Sequence, residues 1–192
     1  MAKLTKSFYQ RAEVVLVAKE LLGKFLFTKF DGKLTGGIIT ETEAYAGETD
    51  LASHAHGGRR TARTEILYRQ GGTAYVYLCY GIHSLFNVVT NKEGVPHAAL
   101  IRAIQPTHGI PTILRRRNMT ELKKNAASGP GTVSEALGIH YSHTGTTLRG
   151  NKIWIEDRNY PVDESRIITG KRVGVEFAGK DAALPYRFML KM

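Results

Sequence analysis

The sequence predicts one α+β domain built on a curved, mostly antiparallel sheet, with short flanking helices and a protruding β-hairpin. Three observations lead there. Apolar runs of strand length outnumber those of helix length, and their order is not a βαβ alternation. Turn residues such as Asp31-Gly32 separate neighbouring runs, which suits hairpins. The 192 residues suffice for one substantial core, and no repeat, low-complexity tract or Pro/Ser-rich linker divides them.

The elements follow in order. Residues Arg11 to Leu22 read as a helix, with Val14, Val15, Ala18, Leu21 and Leu22 on one face, and Gly23 closes it. Lys24 to Lys29 and Lys33 to Tyr45 read as strands about the Asp31-Gly32 turn. Ala46 to Gln70 is polar and rich in Gly and Arg, a long loop of the kind that usually carries function. Thr73 to Tyr80 and Ser84 to Thr90 form a hairpin, and Ala98 to Ile104 is a further strand. Ile110 to Asn118 reads as a short helix. Gly129-Pro130-Gly131 leads into another, Thr132 to Leu137. Later strands are expected at Lys152 to Glu156, Arg172 to Phe177 and Tyr186 to Lys191.

Composition narrows the partners. Lys plus Arg number 27 against 17 Asp plus Glu, a net charge of +10, which points to a polyanion and to nucleic acid first. The single cysteine, Cys79, rules out an internal disulfide, Cys-rich zinc modules and the two-cysteine deaminase signature. It reads as a small buried hydrophobe. The opening MAKLTKSFYQ has no apolar signal core, and Lys19 and Glu20 interrupt AEVVLVAKELL. The expectation is a cytoplasmic protein with no membrane partner.

Several residues stand out chemically. In a strand, Glu41, Glu43 and Tyr45 of ETEAY share a face, two carboxylates and a phenol entering a loop. Alternatively, this is a solvated edge. Arg102 lies inside the apolar ALIRAI and needs an acceptor there, either a structural acid or a site carboxylate. His54 and His56 have a spacing found in metal sites, but glycines follow and no companion motif does. Arg59, Arg60 and Arg63 suit phosphate or a solvated charge run. SGPGTVSEALG suits a helix N-terminus, either meeting a phosphate or simply capped. Tyr80, Ile82 and His83 surround a hairpin turn where no core covers them, as a wedge between stacked bases would.

Taken together, ETEAYAG, SHAHGGRRTAR, GGTAYVYLCYGIHSLFNVV, ALIRAIQP, SGPGTVSEALGI and RVGV closely resemble the alkyladenine (3-methyladenine, methylpurine) DNA glycosylase family, in the family's order and over most of the chain. The resemblance implies excision of alkylated or deaminated purines from double-stranded DNA by hydrolysis of the N-glycosidic bond, without strand cleavage, metal or other cofactor. By motif position, Glu43 matches the acid that activates water, with Arg102 and the carbonyl of Val173 holding that water. Tyr45, His54 and Tyr77 match the pocket residues around the flipped base, and Asn87 the asparagine that disfavours guanine's amine. Tyr80 matches the intercalating residue, with Ile82 and His83 beside it. Arg59, Arg60, Arg63 and Thr132 fall to the DNA backbone. Thr132-Val133 stands where the family has a lysine-leucine pair. A monomer acting at the nucleoid is expected.

Two other readings fit the residues alone. A DNA-binding module without catalysis would be indifferent to Glu43→Gln. A metal-dependent hydrolase using His54, His56 and Glu43 would purify with metal.

Overall fold

One long strand organises the sheet. In the computed structural model, which describes residues 2–191, β3 runs from Lys33 to Tyr45. The other strands are β1 (Ala2–Lys3), β2 (Phe25–Phe30), β4 (Ala74–Cys79), β5 (His83–Thr90), β6 (His97–His108), β7 (Ile153–Asp157), β8 (Ile167–Gly170) and β9 (Arg187–Leu190). The strand order is β1-β7-β2-β3-β6-β5-β4, with β9 against β3 and β8 against β9. Every pairing is antiparallel, and the sheet is curled. The helices α1 (Lys6–Tyr9), α2 (Val14–Glu20), α3 (Ile110–Arg116) and α4 (Pro130–Leu137) are short. The α+β class and the curled antiparallel sheet are therefore as the sequence predicts.

The strands' two faces have different tasks. Alternate residues point to opposite sides. Ala74, Val76, Phe86, Val88, Ala99 and Ile101 enter the main core with α2 and α4. On the other side, Tyr75, Val89 and Ala98 pack beneath the 46–70 loop, whose Ala55, Ile66, Leu67 and Tyr68 form a small core of their own. That loop has three single 3₁₀ turns, at Gly47–Thr49, His56–Gly58 and Glu65–Tyr68.

β3 changes phase in its middle. Ile39 and Ala44 both lie in the main core, five residues apart, which strict alternation forbids. Thr40 drops out of register, since Ile39 partners Ile104 and Glu41 partners Ala103. The extra residue is a β-bulge, and it turns Glu41, Glu43 and Tyr45 to the side away from the main core. β6 has a matching irregularity. Ala103 pairs with Glu41 and Ile101 with Thr42, leaving Arg102 out. At the same place β3 exchanges partners, pairing with β2 through Ile38 and with β9 from Glu41.

Three expectations need correcting. Arg172 to Phe177 is not a strand. Val173 gives its N–H to a side chain, Gly174 takes a φ of 72°, and Glu176–Ala183 winds as 3₁₀ turns. β8, just upstream, takes the place beside β9. In α2, Val17 rather than Val15 is fully buried. Cys79 is half-buried at the hairpin's end instead of enclosed.

Candidate active site

On the side of the sheet away from the main core, a cavity of about 390 Å³ opens between the 46–70 loop, β4 and the segment 173–177. Its lining includes Tyr45, His54, Tyr77, Asn87, Arg102 and Val173. These come from four strands and two loops, and each was a candidate on sequence.

Glu43 lies directly behind that lining and is 0% exposed. Three of the lining residues hold it. Its Oε1 accepts from the Val173 N–H at 2.8 Å and faces an Arg102 guanidinium nitrogen at 3.4 Å. Its Oε2 accepts from the Tyr45 hydroxyl at 2.8 Å. A carboxylate has about four acceptor positions, so roughly one is left over. Burial raises the Glu43 pKa above the ordinary carboxylate range; Arg102, the Val173 N–H and Tyr45 oppose that and Glu41 reinforces it. Val173 thus reaches Glu43 through its N–H.

Arg102 has two acids. Its Nε donates to Glu41 at 2.9 Å, and the same Glu41 oxygen accepts from Arg187 at 2.6 Å. The alternatives for its partner, structural acid or site carboxylate, therefore both apply. On sequence Glu41 shares a face with Glu43 and Tyr45 but is assigned no role, and Arg187 is not singled out. The signal for Glu41 was its two-residue spacing from Glu43; for Arg187 there was none.

The segment bearing Val173 is anchored by Arg172. This buried guanidinium grips Asp50 with both terminal nitrogens, at 2.5 and 2.8 Å, and donates to the carbonyls of Ala44 and Asp181. It also lies 4.8 Å from the Tyr45 ring centre. Sequence reading missed this pair, because an Arg and an Asp 122 residues apart carry no local pattern.

The aromatic wall is ordered by contact. Tyr75 and Tyr77 stack at 5.4 Å, and His54 meets the Tyr77 ring edge-on at 4.7 Å. His54 Nδ1 hydrogen-bonds the Tyr75 hydroxyl at 2.8 Å. Burial, with Arg63 and Arg59 nearby, lowers its pKa to about 4, so the imidazole is neutral at pH 7. Asn87 donates from its amide nitrogen to the carbonyls of Tyr75 and Leu85, which fixes its orientation.

The hairpin tip stands clear of the core. Tyr80 is 92% exposed and holds a φ of 51°, a costly conformation for a bulky residue. Ile82 beside it is 72% exposed. His83 differs: it begins β5 and its ring packs against Gly131 at the start of α4. Phe177, unremarked in the sequence, is 74% exposed and lines the cavity mouth with Tyr80 and Val173.

The basic residues are unequal. Arg63 lines the cavity 6.0 Å from the Tyr77 ring centre. Arg60 is 3.6 Å from Glu65 and lies over the Tyr68 ring. Arg59 is exposed. The Thr132 hydroxyl donates to the Gly129 carbonyl and accepts from its N–H, so it is committed to capping α4.

Comparison with known proteins shows the family. The family model for methylpurine-DNA glycosylase (MPG) matches residues 7–192. A Chlamydia felis protein named "Putative 3-methyladenine DNA glycosylase" is 42% identical over 190 residues, covering 98% of this chain and 96% of its own. Relatives of the same name from Desulfitobacterium hafniense and Bacillus cereus are 39% and 42% identical, over 100% and 96% of this chain and 96% and 94% of theirs. With a match of this extent over a chain that brings a buried carboxylate and an aromatic cavity together, the chain belongs to the methylpurine-DNA glycosylase family: it is a DNA glycosylase, a repair hydrolase of N-glycosyl bonds.

Proposed function

We propose that this protein, as a monomer, extrudes an alkylated or deaminated purine of the 3-methyladenine, 7-methylguanine or hypoxanthine type from duplex DNA. It then hydrolyses the glycosidic bond with a water activated by Glu43. The observation that carries the reading is the placement of Glu43: buried, gripped by Arg102 and Val173, and separated from an aromatic cavity only by its own hydrogen-bond partners.

A purine inside a duplex hides its glycosidic bond, and flipping it costs a few kcal/mol. Tyr80, exposed and held at the tip, replaces the lost stacking. The extruded base enters between Tyr45 and Tyr77, with neutral His54 at the wall. A base alkylated at N3 or N7 is cationic, and an aromatic face attracts it by ~0.5–2 kcal/mol. A charged imidazole would repel it, so the low pKa of His54 suits this substrate. Asn87, its amide nitrogen already bound to two carbonyls, discriminates by occupying space.

The chemistry then needs little from the protein. As the bond from C1′ to the base nitrogen breaks, the base takes the electron pair and the sugar gains oxocarbenium character. Water, held at the remaining acceptor position of Glu43, loses its proton to the carboxylate and bonds to C1′, as in inverting sugar hydrolysis. Arg102 keeps Glu43 ionised and oriented. Among the described residues that line the cavity there is no lysine to form a Schiff base, so the strand stays intact. Arg59 and Arg63, together with the N-terminal end of α4, meet the phosphates.

The direct test is base release from duplexes carrying single damaged purines, in EDTA. Free base should appear and the strand should break only on later alkali treatment. Absence of release, strand scission without alkali, or a requirement for added zinc would overturn the proposal. Tyr80→Ala is expected to slow single-turnover release from duplex at subsaturating enzyme by about tenfold, the scale of a lost base–aromatic stack. Single-stranded substrate should be far less affected. An unchanged duplex rate and affinity would remove Tyr80 from the flipping step.

A further inference from the structure

Four charged side chains stand in a row behind the cavity, Arg187, Glu41, Arg102 and Glu43, of which Arg102 reaches its lining. Arg187 on β9 and Arg102 on β6 approach the same oxygen of Glu41, at 2.6 and 2.9 Å, and Arg102 reaches Glu43 at 3.4 Å. The β-bulge at Thr40 and the register break at Arg102 bring the row together, since strict alternation would send Glu41 and Glu43 to the main core. One guanidinium between two carboxylates would be divided between them. Arg187 supplies the second cation.

We propose that Glu41 and Arg187 are positioning residues for this site: they neutralise one another and pin Arg102, so that the charge of Arg102 is available to Glu43. The inference rests on Glu43 being the base. The groups around Glu43 are Glu41 and Tyr45 on its own strand, Arg102 on β6, Tyr77 on β4, Arg172 with the Val173 N–H on the adjoining segment, and Arg187, its register partner on β9, whose guanidinium bonds Glu41. Removing Arg187 leaves Glu41 to draw Arg102 away and adds net negative charge near Glu43. Removing the charge of Glu41 does the reverse. The two variants therefore act in opposite directions, a pattern that loss of packing does not produce.

The experiment is the single-turnover pH–rate profile for release of 7-methylguanine, a cationic base that needs no proton on leaving. At a fixed pH on the acid limb, and relative to each variant's own plateau, Arg187→Gln should be roughly threefold slower than wild type and Glu41→Gln roughly threefold faster. Arg187→Lys, which keeps the charge, should return the limb towards wild type, as should the double variant Glu41→Gln/Arg187→Gln. Limbs that move together, or stay in place while only melting temperature falls, would reduce the pair to a structural role. If Glu43→Gln in the same assay still released base, the base assignment itself would fail, and that result is separate from either of these.

Discussion

Glu43→Gln is expected to abolish base release, by ~10²–10⁴-fold, with DNA affinity retained. The amide oxygen still accepts from the Val173 N–H, so the floor of the cavity keeps its shape. What is lost is a basic oxygen able to take the water proton. Because burial raises the pKa of Glu43, activity of the wild type should fall with decreasing pH earlier than an ordinary carboxylate would dictate. The same shift fixes the sign for stability. A carboxyl whose pKa is higher folded than unfolded favours folding while protonated, and that contribution is lost as pH rises through the folded value. At neutral pH the ionised Glu43 therefore costs stability, and Glu43→Gln should melt no lower than wild type. Base release by the variant at more than half the wild-type single-turnover rate would contradict the assignment, and a DNA-binding module would be the reading that remained.

Arg172→Met is expected to lower stability by about 3–5 kcal/mol, because it leaves Asp50 buried without its cation. For a chain of this size that corresponds to a melting temperature lower by roughly 6–20 °C, read by calorimetry. Burial by itself would raise the Asp50 pKa, but the hydrogen bonds and charge of Arg172 and the Ala46 N–H outweigh it, and the net shift is downward. The pair's contribution is therefore present at neutral pH and lost as pH falls through that depressed value. Replacing both partners by apolar residues, Arg172→Met with Asp50→Leu, should recover part of the loss, since no charge is then stranded. Base release should fall as well: Arg172 fixes the segment from which Val173 donates to Glu43. A melting temperature within 2 °C of wild type, about the shift 1 kcal/mol produces, would show the pair to be dispensable.

Much of this site was legible in the sequence because its strands keep a period of two. Tyr75 and Tyr77 share a face, as do Glu43 and Tyr45, and in the structure they point where alternation puts them. The exposed tip was legible for a simpler reason: a short turn holding Tyr80 and Ile82 has no room for a core around it. Arg172 to Phe177 misled because its apolar alternation matches a strand while its backbone is held by side chains. The Arg172 side chain ties the segment to Asp50, and the Val173 N–H that a ladder would use is spent on Glu43.

Local pattern decided which residues alternate and which chemistry each one carries, since both depend on nearest neighbours along the chain. Which side of the sheet Glu41 and Glu43 face was decided elsewhere, by a bulge at Thr40 where β3 exchanges β2 for β9 while staying paired with β6. The sharing of Arg102 between two acids, the arrival of Arg187 from β9 and the seal of Asp50 by Arg172 belong with it. Charges separated by more than a hundred residues influence one another only once folding brings them within a few ångströms and removes the water that would screen them.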